Sequence, residues 1–380
     1  MGNARGGDPS QLRRLNSVAV LRSLHSGGTL TLTELVKLAG LSRPTCEDVV
    51  NDLLDQGWAV EVLPNGDGPR QVGRPARRFR FRAEAGYVLA VDIGAHKVLA
   101  VVADLLGDAV ATTRCAVDPV TSATERLTAT SETIGRCLTA SGIEPGRLLS
   151  TVAATSGIVD DAGHVKLSTA LPQWTGLDLR AEVLKMLPPA AAEVVAIEND
   201  IALAALAEHW RGVARHATDI VYMFAGRRMG AGLLIGGVPH RGHHGAAGEI
   251  GTLDLLGWEG AYRRFNRQAG DDTGDHVQET FEAARRGDCE ALDIVDAFGK
   301  DLATGLAIMV LSVDPELVVV GGGISQAGEL LIEPVRRHLA DLTPFPPEVV
   351  ASILGDESVA LGAVRLALNH VEQNLFTVAE

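Results

Sequence analysis

At 380 residues, with 46% hydrophobic and 22% charged side chains, the chain is long enough for two or three globular domains with an apolar core. No uncharged apolar run reaches the ~20 residues of a membrane helix, and the N-terminus MGNARGGDPSQLRR has no apolar segment behind its arginines to act as a signal peptide, so a cytoplasmic protein is expected. The net charge of −14 is uneven: residues 1–82 hold twelve Arg/Lys against eight Asp/Glu and the remainder 22 against 40, so nucleic acid is expected to meet only the first segment.

Leu12, Leu15, Val18, Leu21 and Leu24 recur every three residues and predict a helix over residues 11–24, closed by Gly27 and Gly28. Thr31 and Glu34 have the spacing of a capping box and open a short helix through Leu38. Ala39-Gly40-Leu41-Ser42 is a tight turn, and Ser42 is an N-cap with Pro44 in the first turn of a third helix, residues 43–56. Helix, helix, turn and helix are the helix-turn-helix order, whose last helix enters a major groove. That places Ser42, Arg43, Thr45 and Glu47 near bases or phosphates. Glu47 and Asp48 repel phosphates there and favour a donor such as cytosine N4.

Beyond Gly57 the period changes to alternation, with Trp58, Val60 and Val62 on one face, a polar loop over residues 64–69, and then Phe79-Arg80-Phe81-Arg82. This is a hairpin, and with the helices it makes a winged helix-turn-helix over residues 1–83. The wing carries Arg70, Arg74, Arg77, Arg78, Arg80 and Arg82 with no acid among them. Gly73-Arg74-Pro75 is narrow enough to place a guanidinium in a minor groove. The competing reading is an arginine-rich solvated face.

In the body, residues 85–94, 97–104 and 109–117 predict a three-stranded meander, followed by a helix over about residues 122–141 and a strand over 148–154. The order returns with strands at 220–224, 232–235 and near Val238, helical stretches from Asp275, a long helix over 294–312 and a strand over 317–320. Two related βββαβα halves with a cleft between them are the α/β architecture implied. The first lobe is expected over residues 84–215 and the second over 216–380, with the last helix returning to the first lobe. The cysteines, Cys46, Cys115, Cys137 and Cys289, have no CxxC spacing, which argues against a disulfide framework or a cysteine-rich zinc site.

Three stretches are expected to converge in the cleft. The first is Thr155-Ser156-Gly157 with residues 158–164 and 171–176 after it; the second is an apolar strand that ends on Asn199 and Asp200; the third is RGHHGAAGEIGT, residues 241–252, which sets Glu249 among small residues. Asp200 either caps the helix that follows it or faces a polar site with Asn199 and Glu249. Carboxylates so placed can accept from two sugar hydroxyls at once.

GLSRPT, GRPARR, VDIG, IEND, GAAGEIG and PELVVVGGG stand in the order found in the ROK family (repressors, open reading frames, kinases), which the chain resembles from about residue 11 to 370. The resemblance implies an actin-like ATPase (ribonuclease H-like) two-lobed body. Members with an N-terminal winged helix are similar to repressors of xylose and N-acetylglucosamine utilisation genes, and members without it are sugar kinases. It makes Gly157, Asn199, Asp200, Glu249 and Glu259 sugar contacts, Asp200 also standing at the kinase general-base position. Asp92, Gly94, Gly230, Gly232, Gly321 and Gly322 become remnants of nucleotide loops.

The chain departs from the family pattern at three places. Thr252 stands at a zinc-ligating histidine, and residues 253–262 have no cysteine where the family has CxCGxxGC. No metal or cofactor is therefore expected, and Leu255, Leu256 and Trp258 are expected to pack in its place. Ala95 and His96 replace the usual Gly and Thr before Lys97. Arg227 and Arg228 occupy a loop that is GTGIG in the family, where long side chains obstruct a cradle of main-chain N–H groups. They bind another anion, such as a sugar phosphate, or lie at the surface. The expected function is a non-enzymatic, sugar-responsive repressor, a homodimer or homotetramer on a double-stranded operator, with a sugar or sugar phosphate as effector. An active ATP-dependent sugar kinase with a DNA-binding head and an effector-independent DNA-binding regulator are the alternatives.

Overall fold

A computed structural model describes residues 9–63, 76–189, 194–267 and 276–377. The first segment contains α1 (Pro9–Gly27), β1 (Leu30–Thr31), α2 (Leu32–Ala39), α3 (Arg43–Asp55), β2 (Ala59–Val62) and β3 (Arg78–Phe81). Local chemistry starts each helix. Thr31 and Glu34 form the full capping box of α2, and Ser42 caps α3 by accepting from the Thr45 N–H. Gly40 takes the left-handed conformation that ends α2, at φ 68°. The sheet order is β1-β3-β2, with β3 antiparallel to both neighbours, as the winged helix-turn-helix reading expects of its hairpin. Gly73-Arg74-Pro75 and the polar wing loop lie outside the described residues, and Arg74 with them.

The hairpin buries the face opposite Val60 and Val62. Ala59 pairs with Phe81 and Glu61 with Phe79, and both phenylalanines are buried among α1, α2 and α3. This aromatic pair sets the inward face, so the small Ala59 turns inward, while Val60 and Val62 lie opposite Arg80 and Arg78 and stay half-buried.

The body holds two five-stranded sheets of the same design. The first is built from β4 (Tyr87–Ile93), β5 (Lys97–Asp104), β6 (Ala109–Ala116), β7 (Leu148–Thr155) and β10 (Val194–Asn199), with α4 (Ala123–Ser141), the small pair β8 (Ile158–Val159) and β9 (Val165–Leu167), and α5 (Leu179–Met186) inserted. After α6 (Asp200–Arg211) come β11 (Ile220–Phe224), β12 (Gly230–Ile235) and β13 (Val238–Pro239), then α7 (Trp258–Arg267), α8 (Val277–Arg285) and α9 (Cys289–Val313). β14 (Leu317–Gly321), α10 (Glu329–Leu342), β15 (Glu348–Ala351) and α11 (Ser358–Phe376) complete the chain. The sheet orders are β10-β7-β4-β5-β6 and β13-β12-β11-β14-β15. In each, the first strand of the meander is central, antiparallel to the second and parallel to the fourth.

Two helices cross between the lobes. α6 follows the first sheet in sequence but lies on β11 and β12, and α11 comes last but lies on β4 and β7. They pack closely on each other because Gly362 of α11 has no side chain: a methyl group there would overlap the Leu203 carbonyl of α6. The end of α11 also meets the head. His25 of α1 lies edge-on to Phe81 and Phe376, at centroid distances of 5.0 and 5.4 Å, and Arg22 donates to the Phe376 carbonyl at 3.1 Å. No helix among the described residues is long and apolar enough to cross a membrane. The long helix α9 begins five residues earlier than the apolar pattern indicates, because the Asp288 side chain caps it through the Ala291 N–H.

Candidate functional site

Asn199 closes β10 and caps the helix that follows it. Its Oδ1 accepts from the N–H groups of Ile201 (2.8 Å) and Ala202 (3.0 Å), and its Nδ2 donates to the Gly157 carbonyl at 3.0 Å. The cap of α6 is therefore Asn199 and not Asp200, since Asn199 has the extended backbone a cap requires while Asp200 is already helical. Gly157 is held at φ 117°, and a side chain there would run into the Leu167 carbonyl.

Relieved of capping, Asp200 has its Oδ1 accepting from the neighbouring Ile201 N–H, at 2.9 Å. Burial first, then the charge of Asp92, lift its pKa to about 7, with Glu249 adding to the effect. Near neutral pH this carboxyl can therefore accept from a hydroxyl or donate to one. Glu249, half-buried in the loop after β13, also has its pKa raised by burial, and its main chain is pinned where Gly248 accepts from Ala231 N–H at 3.2 Å. Asp92, at the end of β4, is buried and raised in the same way, opposed by Lys97 at 3.4 Å. The structure thus brings Asp92, Asp200 and Glu249 together with Asn199 and Gly157. Glu259 lies in the first turn of α7, its side chain outside the described part.

The residues expected to be nucleotide-loop remnants make close contacts within the protein. The Gly94 and Ala95 carbonyls accept from the buried Arg126, at 2.5 and 3.3 Å. Lys97 lies between Asp92 and Asp356 (3.4 and 3.8 Å), and Arg114 pairs with Asp356 at 2.7 Å. Gly230 and Gly232 clear Ile201: added Cβ atoms would stand 2.6 Å from its Cδ1 and 2.8 Å from its carbonyl oxygen. Gly321 and Gly322 do the same for the Tyr222 hydroxyl and the Ala225 carbonyl. Arg227 and Arg228 are exposed; Arg227 lies 5.8 Å from the Tyr262 ring centroid, and Arg228 reaches across to the Ala170 carbonyl of the other lobe at 3.1 Å.

The donors at the family's zinc position do not fit zinc. Thr252 turns its hydroxyl to the Glu249 carbonyl at 2.7 Å, and among the described residues no group of three or more His, Cys, Asp or Glu has the arrangement to hold a metal ion. Leu256 and Trp258 are buried there, Trp258 donating to the Asp301 carbonyl at 2.9 Å. Leu255 is 91% exposed, which corrects the expectation that all three pack: the short 3-10 turn over 254–256 sends adjacent side chains to opposite sides.

On the head, Ser42 and Thr45 share a hydroxyl contact at 2.8 Å at the start of α3, and Arg43 and Glu47 are exposed beside it. Asn51, one turn beyond Glu47 on the same face, is also exposed; its i, i+4 spacing from Glu47 was the available signal. Arg77 is engaged with Glu61 in a bidentate pair (2.9 and 2.8 Å) and lies over the Phe79 ring, whereas Arg78 is exposed. Arg77 thus braces the wing through the protein itself.

Comparison with known proteins follows the same division into head and body. The sequence model of the ROK family matches residues 88–259 and 259–370. The xylose repressor of Caldicellulosiruptor bescii is 23% identical over 96% of this chain and 98% of its own length. The glucokinase of Thermotoga maritima is 30% identical over 57% of this chain and 77% of its own length. Among solved structures, a ROK family transcriptional regulator, a homologue of the E. coli MLC protein, has a TM-score of 0.72 at 19% identity, covering 96% of this chain and 98% of its own. The ROK family glucokinase of Streptomyces griseus, solved with glucose and AMPPNP, has a TM-score of 0.62 at 27% identity, covering 75% of this chain and all of its own.

Proposed function

Because the chain belongs to the ROK family, we propose that it is a sugar-responsive DNA-binding regulator, a repressor of carbohydrate-related genes whose body binds a sugar or sugar phosphate without phosphorylating it. One observation carries this reading: the same chain joins a helical head with a small sheet to a body that sets the hydroxyl acceptors Asp200 and Glu249 close together, while Lys97 and Arg114 beside them are paired with Asp92 and Asp356. Relatives named as repressors that match over nearly the whole chain support it. In this mechanism a ligand drawn between the lobes shifts α6, whose first turn holds Asp200. α11 packs on α6 and ends at Phe376 against His25, so the shift is passed to the head. A dimer or tetramer places two heads on two half-sites, and a small rotation of one against the other weakens binding. A few kcal/mol of differential affinity suffices to empty an operator.

A mobility-shift titration on the DNA upstream of the protein's own gene tests the head. Retardation is expected, and Arg43→Ala or Asn51→Ala should weaken it by about 1–3 kcal/mol, the worth of a base contact. Absence of retardation with any DNA defeats the DNA-binding half of the proposal. A panel of D-xylose, D-glucose, N-acetylglucosamine and their phosphates should contain a compound that both raises the melting temperature and releases the DNA.

A sugar kinase is the second reading, favoured by the pKa of about 7 at Asp200, which suits a general base. A coupled ADP-release assay over the same sugars is expected to show no turnover. Turnover that Asp200→Asn abolishes would establish the kinase instead.

A further inference from the structure

Arg241 stands in the loop that carries Glu249, on the second lobe. There its own carbonyl accepts from the Ala247 N–H at 3.0 Å, and the preceding His240 N–H donates to Leu233 of β12 at 2.8 Å. Its guanidinium leaves that lobe. Nη2 donates to the carbonyls of Val159 (2.8 Å) and Asp160 (3.3 Å), Nη1 lies 3.2 Å from the Asp161 carboxylate, and Nε lies 3.4 Å from Glu198. The Glu198 side chain is only 8% exposed, and its other oxygen accepts from the Asn199 N–H at 2.7 Å. Asn199 in turn sets both Gly157 and the first turn of α6. Four residues along the same loop, Gly245 lies so close to the Val159 carbonyl that a side chain would overlap it. The loop bearing Glu249 is therefore fastened to the turn at residues 159–160 by hydrogen bonds from one planar, five-donor group, a geometry that a lysine ammonium cannot reproduce, while its Nε faces Glu198, beside Asn199, as a charge contact without a hydrogen bond.

We propose that Arg241 is the positioning residue that sets the spacing of Glu249 against Asn199 and Asp200, and so determines which pair of ligand hydroxyls the cleft accepts. The proposal rests on the sugar-site reading above for its ligand, but the fastening itself exists without ligand. Glu198 completes it. Burial raises its pKa and Arg241 is the first influence that lowers it, so removing the arginine leaves a buried carboxyl without its facing cation and weakens its hold on the Asn199 N–H. The charged groups facing Glu198 are Arg241 and, at longer range, Asp161.

The test uses the full-length chain with Arg241→Gln, Arg241→Lys and Glu198→Gln. Without ligand, amide hydrogen exchange at residues 157–161 and 242–249 should accelerate about tenfold in Arg241→Gln, the loss expected for a charge-assisted hydrogen bond, with the head and the two sheets unchanged. Arg241→Lys should recover part of this, because it keeps the charge beside Glu198. Thermal-shift titration with D-glucose and D-xylose should show affinity reduced about tenfold in Arg241→Gln, with the preference between the two sugars altered. A general loss of fold would lower the melting temperature without changing that preference. Should Arg241→Gln fail to fold, Arg241→Lys and Glu198→Gln carry the same comparison. Unaltered exchange in both stretches overturns the fastening, and unaltered sugar preference overturns the specificity role. If neither sugar binds the wild type, the sugar-site reading fails for these sugars while the exchange measurement still decides the fastening.

Discussion

Asp200→Asn is expected to make the ligand-free protein more stable at pH 8 and to leave it nearly unchanged at pH 4, while weakening sugar binding. An ordinary aspartate carboxyl titrates near 3.8, but in the folded cleft this one is lifted to about 7, first by burial and then by Asp92. Below pH 4 the carboxyl is protonated in both the folded and unfolded chains and contributes no difference. As pH rises toward 7 the unfolded chain releases the proton and the folded chain keeps it, so folding loses stability across that interval and nothing further above it. The full shift corresponds to about 4 kcal/mol; partial exposure of the side chain reduces this to about 2 kcal/mol, or about 2–3 °C in melting temperature for a chain of this length. Asn retains the Oδ1 acceptor for the Ile201 N–H without the charge, so the gain is expected at pH 8 and should fade as the pH falls. Sugar affinity should fall by about a hundredfold, since a charged acceptor is lost. Melting curves of both proteins from pH 4 to 8 that stay parallel would remove the premise that Asp200 carries strained charge.

The second large effect concerns the crossing of α6 and α11. Gly362→Val should destabilise the protein by about 3 kcal/mol, because the overlap is with the Leu203 backbone and not with a side chain that can swing away. Gly135→Ala is the matched control. Gly135 is inside α4 with nothing within 4 Å of an added methyl, and its replacement should stabilise by about 0.5–1 kcal/mol, the helix-propensity gain. Chemical denaturation of the two variants separates them by sign. A tolerated Gly362→Val would show that the two helices can slide apart, and α11 could not then relay ligand binding to Phe376.

Features governed by near neighbours in the chain were legible from the residues. The capping pairs Thr31/Glu34 and Ser42/Thr45 bring their own hydrogen bonds, and the buried strands β4, β5 and β7 declare themselves as apolar runs. The repeat of one sheet order in two halves followed from the same runs. What the residues alone leave open depends on partners far along the chain. The inward face of β2 was chosen by Phe79 and Phe81, some twenty residues later. Gly230 and Gly232, grouped with nucleotide-loop remnants, are small where β12 passes over Ile201 of the other half. Asp200 and Asn199 are adjacent and both can cap; only the backbone angle at Asn199 separates them. Arg241 was visible as a letter in RGHHGAAGEIGT, but its partners lie 43 and about 80 residues away and nothing local announces them.

The placement of α11 also bears on how the chain matures. β4 and β7 leave the ribosome about 200 residues before the helix that covers them, and at 5–20 residues per second their apolar face stays bare for about 10–40 s. His25 waits longer still for Phe376. The first lobe and the head therefore reach their final packing only after nearly the whole chain has been synthesised. A nascent chain that stops short of Ser358 leaves the face of β4 and β7 exposed, a surface for chaperones to hold or for neighbouring chains to stick to.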